Sequence, residues 1–183
     1  MKKMILKVAF CLPVFAFMLP CKIHAQTLEA VKMQMVKDWE RAKDYTVAYL
    51  NTMPEEKYSF KAVDSIRSFA QQMLHLSYAN GFIMSYAIEQ PLPPFTVSDP
   101  EHRLTAQKKD SVMYYVTTSY DYCINAVKNF DVKKWFEKKK FFSFEETRFA
   151  LMNKTFEHQT HHRGQTTIYI RLQGIKPPEE RLF

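Results

Sequence analysis

The scarcity of glycine constrains this chain more than any other feature, since only three glycines occur among 183 residues. Glycine supplies the left-handed and tightly turned backbone on which all-β folds and phosphate-binding loops depend. Folds of those classes usually need many more glycines, whereas long helices joined by a few proline-containing connections need few. We therefore expect an all-α protein.

Apolar residues recur at steps of three and four residues in four segments, which is the spacing of a buried face on an α-helix. The predicted helices cover residues 26–51, 63–86, 104–130 and 143–172. Four long helices with no convincing strand between them predict a four-helix bundle. We expect residues 131–142 to form a connection with one or two helical turns at most.

Proline and capping residues mark where the predicted helices end. Pro54 ends the first helix, and three prolines among residues 91–94 place a loop after the second, because proline lacks the amide that a helix or a central strand requires. Ser143 and Glu146 have the spacing of a capping box, which predicts that the fourth helix begins at Ser143. Gly174 suits the left-handed residue after a helix, and we expect the tail beyond it to lie extended on the bundle.

The first 25 residues have the pattern of a secretory signal peptide. Lys2, Lys3 and Lys7 form its basic start. The apolar residues 8–19 are too few for a transmembrane helix, which needs about 20 residues. The residues before Gln26 fit cleavage after Ala25. We therefore predict a signal peptide over residues 1–25.

Cleavage there leaves a mature domain of residues 26–183, exported to the periplasm or secreted. A lipoprotein anchored at Cys21 is the less favoured alternative, because Pro20 occupies the preceding position, where a small residue is expected. Cleavage also removes four lysines and no acidic residue, so the formal charge falls from +7 to +3 (7 − 4). Cys123 is then the only cysteine, which excludes an internal disulfide.

These bulk properties bear on the partners of the mature chain. The low net charge gives no reason to expect nucleic acid as a partner. Lysines and aromatic residues between positions 133 and 140 fit either a peripheral membrane contact or, more often, a solvated loop whose rings cover the end of the bundle. A homodimer is also a candidate, since many bundles of this size dimerise.

Three histidines carry the strongest indication of chemistry. His158 and His162 lie four residues apart in the fourth predicted helix, which places both rings on one face with about 5–6 Å between their Cβ atoms. Two imidazoles at this spacing can bind one metal ion. His75 lies among apolar residues of the second predicted helix, where its ring needs a partner, and facing helices of a bundle can share a metal. The sequence therefore predicts a metal site of His75, His158 and His162.

Other interpretations of these histidines stay open at this point. His158 could instead pair with His161, three residues further on, although His161 is expected to point away from the shared face. The histidines could also form only hydrogen bonds in a metal-free bundle, since pairs at this spacing occur by chance. Neutral imidazoles suit zinc, nickel, iron or copper.

The chain resembles the DinB-like (DinB/YfiT) family of metalloenzymes. The residues that carry the resemblance are Glu157-His158-Gln159-Thr160-His161-His162-Arg163-Gly164-Gln165, Tyr169-Ile170-Arg171-Leu172 and Gly174-Ile175-Lys176-Pro177-Pro178. A weaker likeness upstream, at Tyr45-Thr46, Met53-Pro54, Tyr58-Ser59 and around His75, extends it over essentially the whole mature chain. The resemblance implies a four-helix bundle with a divalent metal ion held by His75, His158 and His162.

The resemblance also implies a kind of chemistry, because members of that family with assigned activity include thiol S-transferases. We expect zinc, nickel or iron to activate a thiol or a water, so that a small molecule is transferred or hydrolysed; the catalytic residues stay unassigned. A thiol needs no protein base, which suits a site where the sequence shows no obvious buried carboxylate. The alternative is a non-catalytic metal- or ligand-binding bundle of the cell envelope.

The remaining residues of the motif are candidates for supporting roles. Gln165 lies three residues after His162 on the same helix face, so it is a candidate for orienting the metal ligands, and Glu157 is a second candidate that faces partly away. We expect Arg163 to serve packing rather than substrate binding. We expect Gly164 to permit close helix packing.

Overall fold

The computed structural model describes residues 19–183, with side chains from Gln26 onward. Most of the predicted signal peptide lies outside the described residues, so its cleavage stays a prediction. The described α-helices are α1 (Leu19–Thr52), α2 (Phe69–Ile88), α3 (Pro94–Val97), α4 (Lys109–Asn129) and α5 (Arg148–Leu172). A hairpin of β1 (Lys138–Phe141) and β2 (Phe144–Thr147) precedes α5.

The four long helices form a bundle, as the sequence predicts. α2 lies between α4 and α5, and α1 contacts the same two helices from the opposite side. The largest core side chains include Trp39, Leu50, Phe69, Tyr120 and Leu151, none more than 1% exposed. Burial of each such side chain contributes roughly 1.5–3 kcal/mol or more. Among the helices of the described residues, none combines the length and the apolar character needed to cross a membrane.

α2 begins at Phe69, six residues after the predicted start at position 63. The side chain of Ser68 accepts a hydrogen bond from the amide of Gln71, and the side chain of Gln71 accepts one from the amide of Ser68. This capping box fixes the start of the helix. Residues 63–66 form bends and turns instead. Because α2 packs on several elements, its buried residues do not form a single stripe whose end the sequence would reveal.

The connection between α2 and α4 contains more structure than the sequence predicts. Pro94 occupies the first turn of α3, where its missing amide costs nothing. A 3₁₀ turn covers Leu104–Gln107, so α4 begins at Lys109 rather than at position 104. α3 packs closely on Gly81 of α2: a Cβ there would lie 2.0 Å from Oγ1 of Thr96 and 2.7 Å from Cε2 of Phe95. Gly81 is therefore required by close packing.

The β-hairpin contradicts the expectation that this chain has no strands. β1 and β2 pair in antiparallel register, from Lys138 opposite Thr147 to Phe141 opposite Phe144. Ser143 lies in the hairpin turn, so the predicted capping box at that residue is wrong. The cap of α5 is Thr147, whose Oγ1 accepts a hydrogen bond from the amide of Ala150 at 3.1 Å.

Arg148 anchors the hairpin to the bundle. This side chain is 7% exposed and donates to the carboxylates of Glu89 and Glu137 at 2.7 and 2.8 Å. It also donates to the backbone carbonyl of Ala87, at the end of α2, at 2.9 Å. The partners are 11 to 61 residues away in the sequence, which is why local sequence patterns do not reveal the hairpin.

The end of α5 agrees with the prediction. Gly174 has φ +72°. Its amide donates to the carbonyl of Arg171 at 2.9 Å, while the amide of Ile175 donates to the carbonyl of Ile170 at 3.3 Å. These two bonds form a Schellman motif. The tail that follows has no regular structure and lies against α1, where Arg41 donates to the carbonyl of Arg181 at 2.6 Å.

Candidate metal centre

His75, His158 and His162 meet at the interface between α2 and α5. Each offers one ring nitrogen, and these nitrogens all lie within 4.8 Å of one another. The ring centroids are 4.4 to 5.3 Å apart. The helix spacing brings the two α5 histidines together, and the contact between α2 and α5 adds the third. This group of three could hold one metal ion.

Burial keeps these imidazoles in the form that binds metals. Burial, reinforced by the neighbouring imidazoles, lowers the pKa of His158 to about 4 and that of His162 to about 3. Burial also lowers the pKa of His75. All three rings are therefore neutral at pH 7, and a neutral ring nitrogen carries the lone pair that a metal needs.

Glu101 fixes the ring of His75. Its Oε2 accepts a hydrogen bond from Nδ1 of His75 at 3.0 Å, and its Oε1 accepts one from Nε of Arg67 at 2.6 Å. Because a carboxylate only accepts, Nδ1 carries the proton and Nε2 keeps its lone pair. Metal-binding histidines commonly have such a carboxylate partner.

Glu101 overturns the expectation that no buried carboxylate lies at the site. Its side chain is 12% exposed. It lies in the 3₁₀ turn Pro100–His102, 26 residues after His75. Nothing in the polar sequence around it distinguishes this glutamate from a solvated one, so only the packing of the connection on α2 reveals it.

Gln72 fixes the ring of His162. The Oε1 of Gln72 accepts from Nδ1 of His162 at 2.8 Å, which leaves Nε2 of that ring with its lone pair. The Nε2 of Gln72 donates to Oε1 of Gln165 at 2.8 Å, and Gln165 in turn donates to His161 at 2.8 Å. Gln165 therefore supports the site through Gln72. Gln72 precedes His75 by three residues on the same face of α2, a spacing that could have indicated it from the sequence.

The other candidates of the motif lie outside the group of three. His161 and Glu157 are both exposed, and no hydrogen bond joins Glu157 to the three histidines in the described part of the chain. The structure thus groups His158 with His162 and His75, and not with His161. The buried Nδ1 of His158 has no hydrogen-bond partner among the described residues. An unpaired buried nitrogen costs roughly 1–3 kcal/mol, so a bound ligand is the natural partner for this ring.

Arg163 and Gly164 also lie away from the histidines. Arg163 is 6% exposed and faces α1, where its guanidinium lies 4.6 Å from the ring centroid of Tyr45. Gly164 is exposed, and a Cβ there would meet no atom within 4 Å. The expectation that Gly164 permits close helix packing is therefore wrong.

A polar pocket of about 450 Å³ lies next to two residues that hydrogen-bond to the histidines. Gln72 and Glu101, which contact His162 and His75, form part of its wall. Arg67, Lys61 and Asp64 also line it. The side chain of His75 is 23% exposed, so the group of three is open to solvent at this ring.

Comparisons with known proteins agree with the fold. A family model described as the DinB family matches residues 25–181. The chain is similar in structure to a DinB-like protein from Bacillus cereus ATCC 10987, with a TM-score of 0.64 at 17% identity, covering 80% of this chain and 95% of that one. It is also similar to a DinB-like protein from Bacillus subtilis, with a TM-score of 0.62 at 18% identity, covering 82% and 96%. These likenesses show the fold. No curated protein matches the chain.

Proposed function

Because this chain belongs to the DinB family, we propose that it is an exported metalloprotein whose divalent cation activates a thiol or a water for reaction with a small molecule. The cation is zinc, nickel or iron, and its ligands are His75, His158 and His162. The observation that carries the proposal is the convergence of three neutral ring nitrogens within 4.8 Å of one another.

The surroundings of the histidines support a metal rather than hydrogen bonding alone. Glu101 and Gln72 each take the Nδ1 proton of one ring and so leave Nε2 of His75 and His162 available. The third ring has a buried Nδ1 that no described residue satisfies. Three protein ligands leave a coordination position for an outside molecule, as in catalytic rather than structural sites.

The residues at the site favour a thiol over water as the activated group. A divalent cation bound there would lower the pKa of a thiol or a water at neutral pH. Hydrolysis also benefits from a base that takes a proton. Among the described residues, the carboxylate hydrogen-bonded to the group is Glu101, and Arg67 and His75 engage both of its oxygens. Glu157 is exposed and faces elsewhere. A thiol needs no such base.

Metal analysis of single variants tests the site. Purified protein should contain about one divalent ion per chain by inductively coupled plasma mass spectrometry. His75→Ala, His158→Ala and His162→Ala should each lose it, because two remaining imidazoles hold a divalent ion weakly. His161→Ala is the matched control and should retain the metal. If the three variants keep the metal content of the wild type, the site is wrong.

Activity assays test the chemistry separately. The metal-loaded protein is screened for transfer of a thiol to an electrophile and for ester hydrolysis. Turnover of thiol with electrophile that is lost in His162→Ala supports the proposed reaction. Metal binding without any turnover would leave the alternative, a non-catalytic metal- or ligand-binding bundle of the cell envelope.

Export rests on the sequence of the first 25 residues. The intact mass and the N-terminal sequence of the protein recovered from its native cells should show a chain that begins at Gln26. A lipidated Cys21 at the N-terminus would show the lipoprotein alternative, and an unprocessed Met1 would contradict export by this signal. Peripheral membrane contact and a homodimer stay predictions.

A further inference from the structure

A second pocket lies on the other side of α5 from the three histidines. Its volume is about 460 Å³, and α1, α5 and the C-terminal tail enclose it. The residues that matter in it are Tyr45, Tyr49, Arg163, Gly164, Thr167 and Arg171. Successive helical residues turn by about 100°, so Gly164, Thr167 and Arg171 share a face nearly opposite to that of His158 and His162. What binds here therefore does not touch the metal centre.

Arg163 is a buried cation without a carboxylate partner. It is 6% exposed and lines the pocket. Its Nη1 donates to Oε1 of Gln159 at 3.0 Å and, at 3.4 Å, to Oγ1 of Thr46 and the carbonyl of Ala42. Among the described residues, no carboxylate forms a salt bridge with it, and neither Nε nor Nη2 makes a hydrogen bond. A buried guanidinium normally has a paired anion.

Other donors line the same pocket. Arg171 is exposed and forms no ion pair within the described part of the chain. The hydroxyl of Tyr49 lies 2.9 Å from that of Thr167. Of the acidic tail residues, Glu179 is engaged by Lys176. Glu180 lines the pocket without an ion pair among the described residues. Its negative charge therefore opposes the binding of an anion there.

Gly164 keeps this pocket open. A glycine inside a helix costs roughly 0.5–1 kcal/mol relative to alanine, so it usually has a packing reason. Here a Cβ would meet nothing within 4 Å, and no packing reason exists. Because Gly164 and Arg163 both line the pocket, a larger side chain at position 164 would take up part of the pocket volume.

We propose that this pocket binds an oxyanion, a carboxylate or phosphate group of a small molecule, with Arg163 and Arg171 as its cationic partners. The buried guanidinium supplies free N–H donors, Arg171 adds charge at the rim, and Gly164 provides the room. Charge-assisted hydrogen bonds from arginine to such groups are strong and frequently paired. The site is independent of the metal and does not rest on the proposed function.

Thermal unfolding of the full purified protein tests the pocket. Sodium phosphate and sodium succinate are titrated separately, with sodium chloride at equal ionic strength as the reference. We expect a saturable rise in Tm with phosphate or succinate beyond the chloride effect, because a ligand that binds only the folded state stabilises it. A response to phosphate alone identifies a phosphate site, and a response to succinate alone identifies a carboxylate site.

Variants locate the binding. Gly164→Leu should abolish the response, while Gly164→Ala, which adds only a methyl group, should retain most of it. Both variants should fold, since Gly164 is an exposed helical position and leucine and alanine favour helix over glycine. Arg171→Gln should weaken the apparent affinity by about tenfold or more, and Lys128→Gln, which removes an exposed charge from α4, should leave it unchanged. Glu180→Gln should strengthen it.

The proposal is overturned if neither anion gives a saturable rise, or if the rise persists unchanged in both Gly164→Leu and Arg171→Gln. Metal content is measured on the same samples. It should stay at the wild-type level in Gly164→Leu, because that residue lies away from the three histidines. An absent anion response with normal metal content contradicts the anion pocket alone. Absent metal with a normal anion response contradicts the proposed function alone.

Discussion

Replacing Glu101 by glutamine tests whether a carboxylate outside the group of ligands governs metal affinity. Glutamine keeps the size and one acceptor oxygen of the side chain. It removes the negative charge of the carboxylate, whose oxygens accept hydrogen bonds from Nδ1 of His75 at 3.0 Å and from Nε of Arg67 at 2.6 Å. Loss of such a partner typically weakens metal binding about 10- to 100-fold, which corresponds to about 1.4–2.7 kcal/mol.

The same change should affect folding less than metal binding. The side chain of Arg67 is 40% exposed, so solvent screens its ion pair with Glu101, and the pair contributes about 1 kcal/mol at most. His75 is neutral in the metal-free protein, so its hydrogen bond to Glu101 contributes only modestly. We therefore expect metal affinity to fall more than the free energy of unfolding of the metal-free form.

Competition between the protein and a chelating dye for Zn²⁺ measures the affinity, and urea unfolding of the metal-free proteins measures stability. Glu157→Gln is the matched control, because Glu157 neighbours His158 in the sequence but is exposed. Its affinity should stay within about twofold of the wild type, as for most surface substitutions. Wild-type affinity in Glu101→Gln, or an equal loss in both variants, would refute the reasoning.

Three further experiments test the protonation of the histidines, the packing at two glycines and the cap of α5. In the metal-free protein, the two α5 histidines have pKa values lowered to about 4 and about 3 from 6.5, so the unfolded chain binds more protons below pH 6.5. Urea titrations should show the free energy of unfolding falling between pH 6.5 and 4 by at most about 1.4 kcal/mol per pH unit per histidine, and a flat profile would contradict this. Gly81→Ala should destabilise the metal-free protein by about 1–3 kcal/mol through overpacking, whereas Gly164→Ala should stabilise it by about 0.5–1 kcal/mol; urea unfolding that reversed this order would be inconsistent with the packing. Thr147→Ala should cost about 1 kcal/mol as a lost helix cap, and Ser143→Ala should change the unfolding free energy by under about 0.5 kcal/mol. Similar losses of unfolding free energy in Thr147→Ala and Ser143→Ala would indicate Ser143 as a cap.

Features that depend on neighbouring residues could be predicted from the sequence. The spacing of His158 and His162 is a property of one helix, and Gly174 ends that helix through bonds to its own last turn. Local signals also mislead where two of them compete. Ser143 has the spacing of a cap, but the strands that flank it pair with each other and turn it into a loop residue.

Features that depend on distant contacts could not be predicted. Gly81 is required because α3 returns to pack on it. The hairpin depends on Arg148, whose partners lie at the end of α2 and in the preceding connection. No period or motif encodes such contacts, because each depends on how two separate segments approach one another.

The sequence by itself determined that this chain forms long helices, and that two histidines of the last one share a face, since both follow from the geometry of a single helix. Only the tertiary structure decided which partners those histidines have. The packing of α2 on α5 placed His75 beside them, and the connection after α2 brought the carboxylate of Glu101 to its ring. Those positions depend on how whole helices pack, and burial of their apolar faces sets that packing regardless of separation in the sequence.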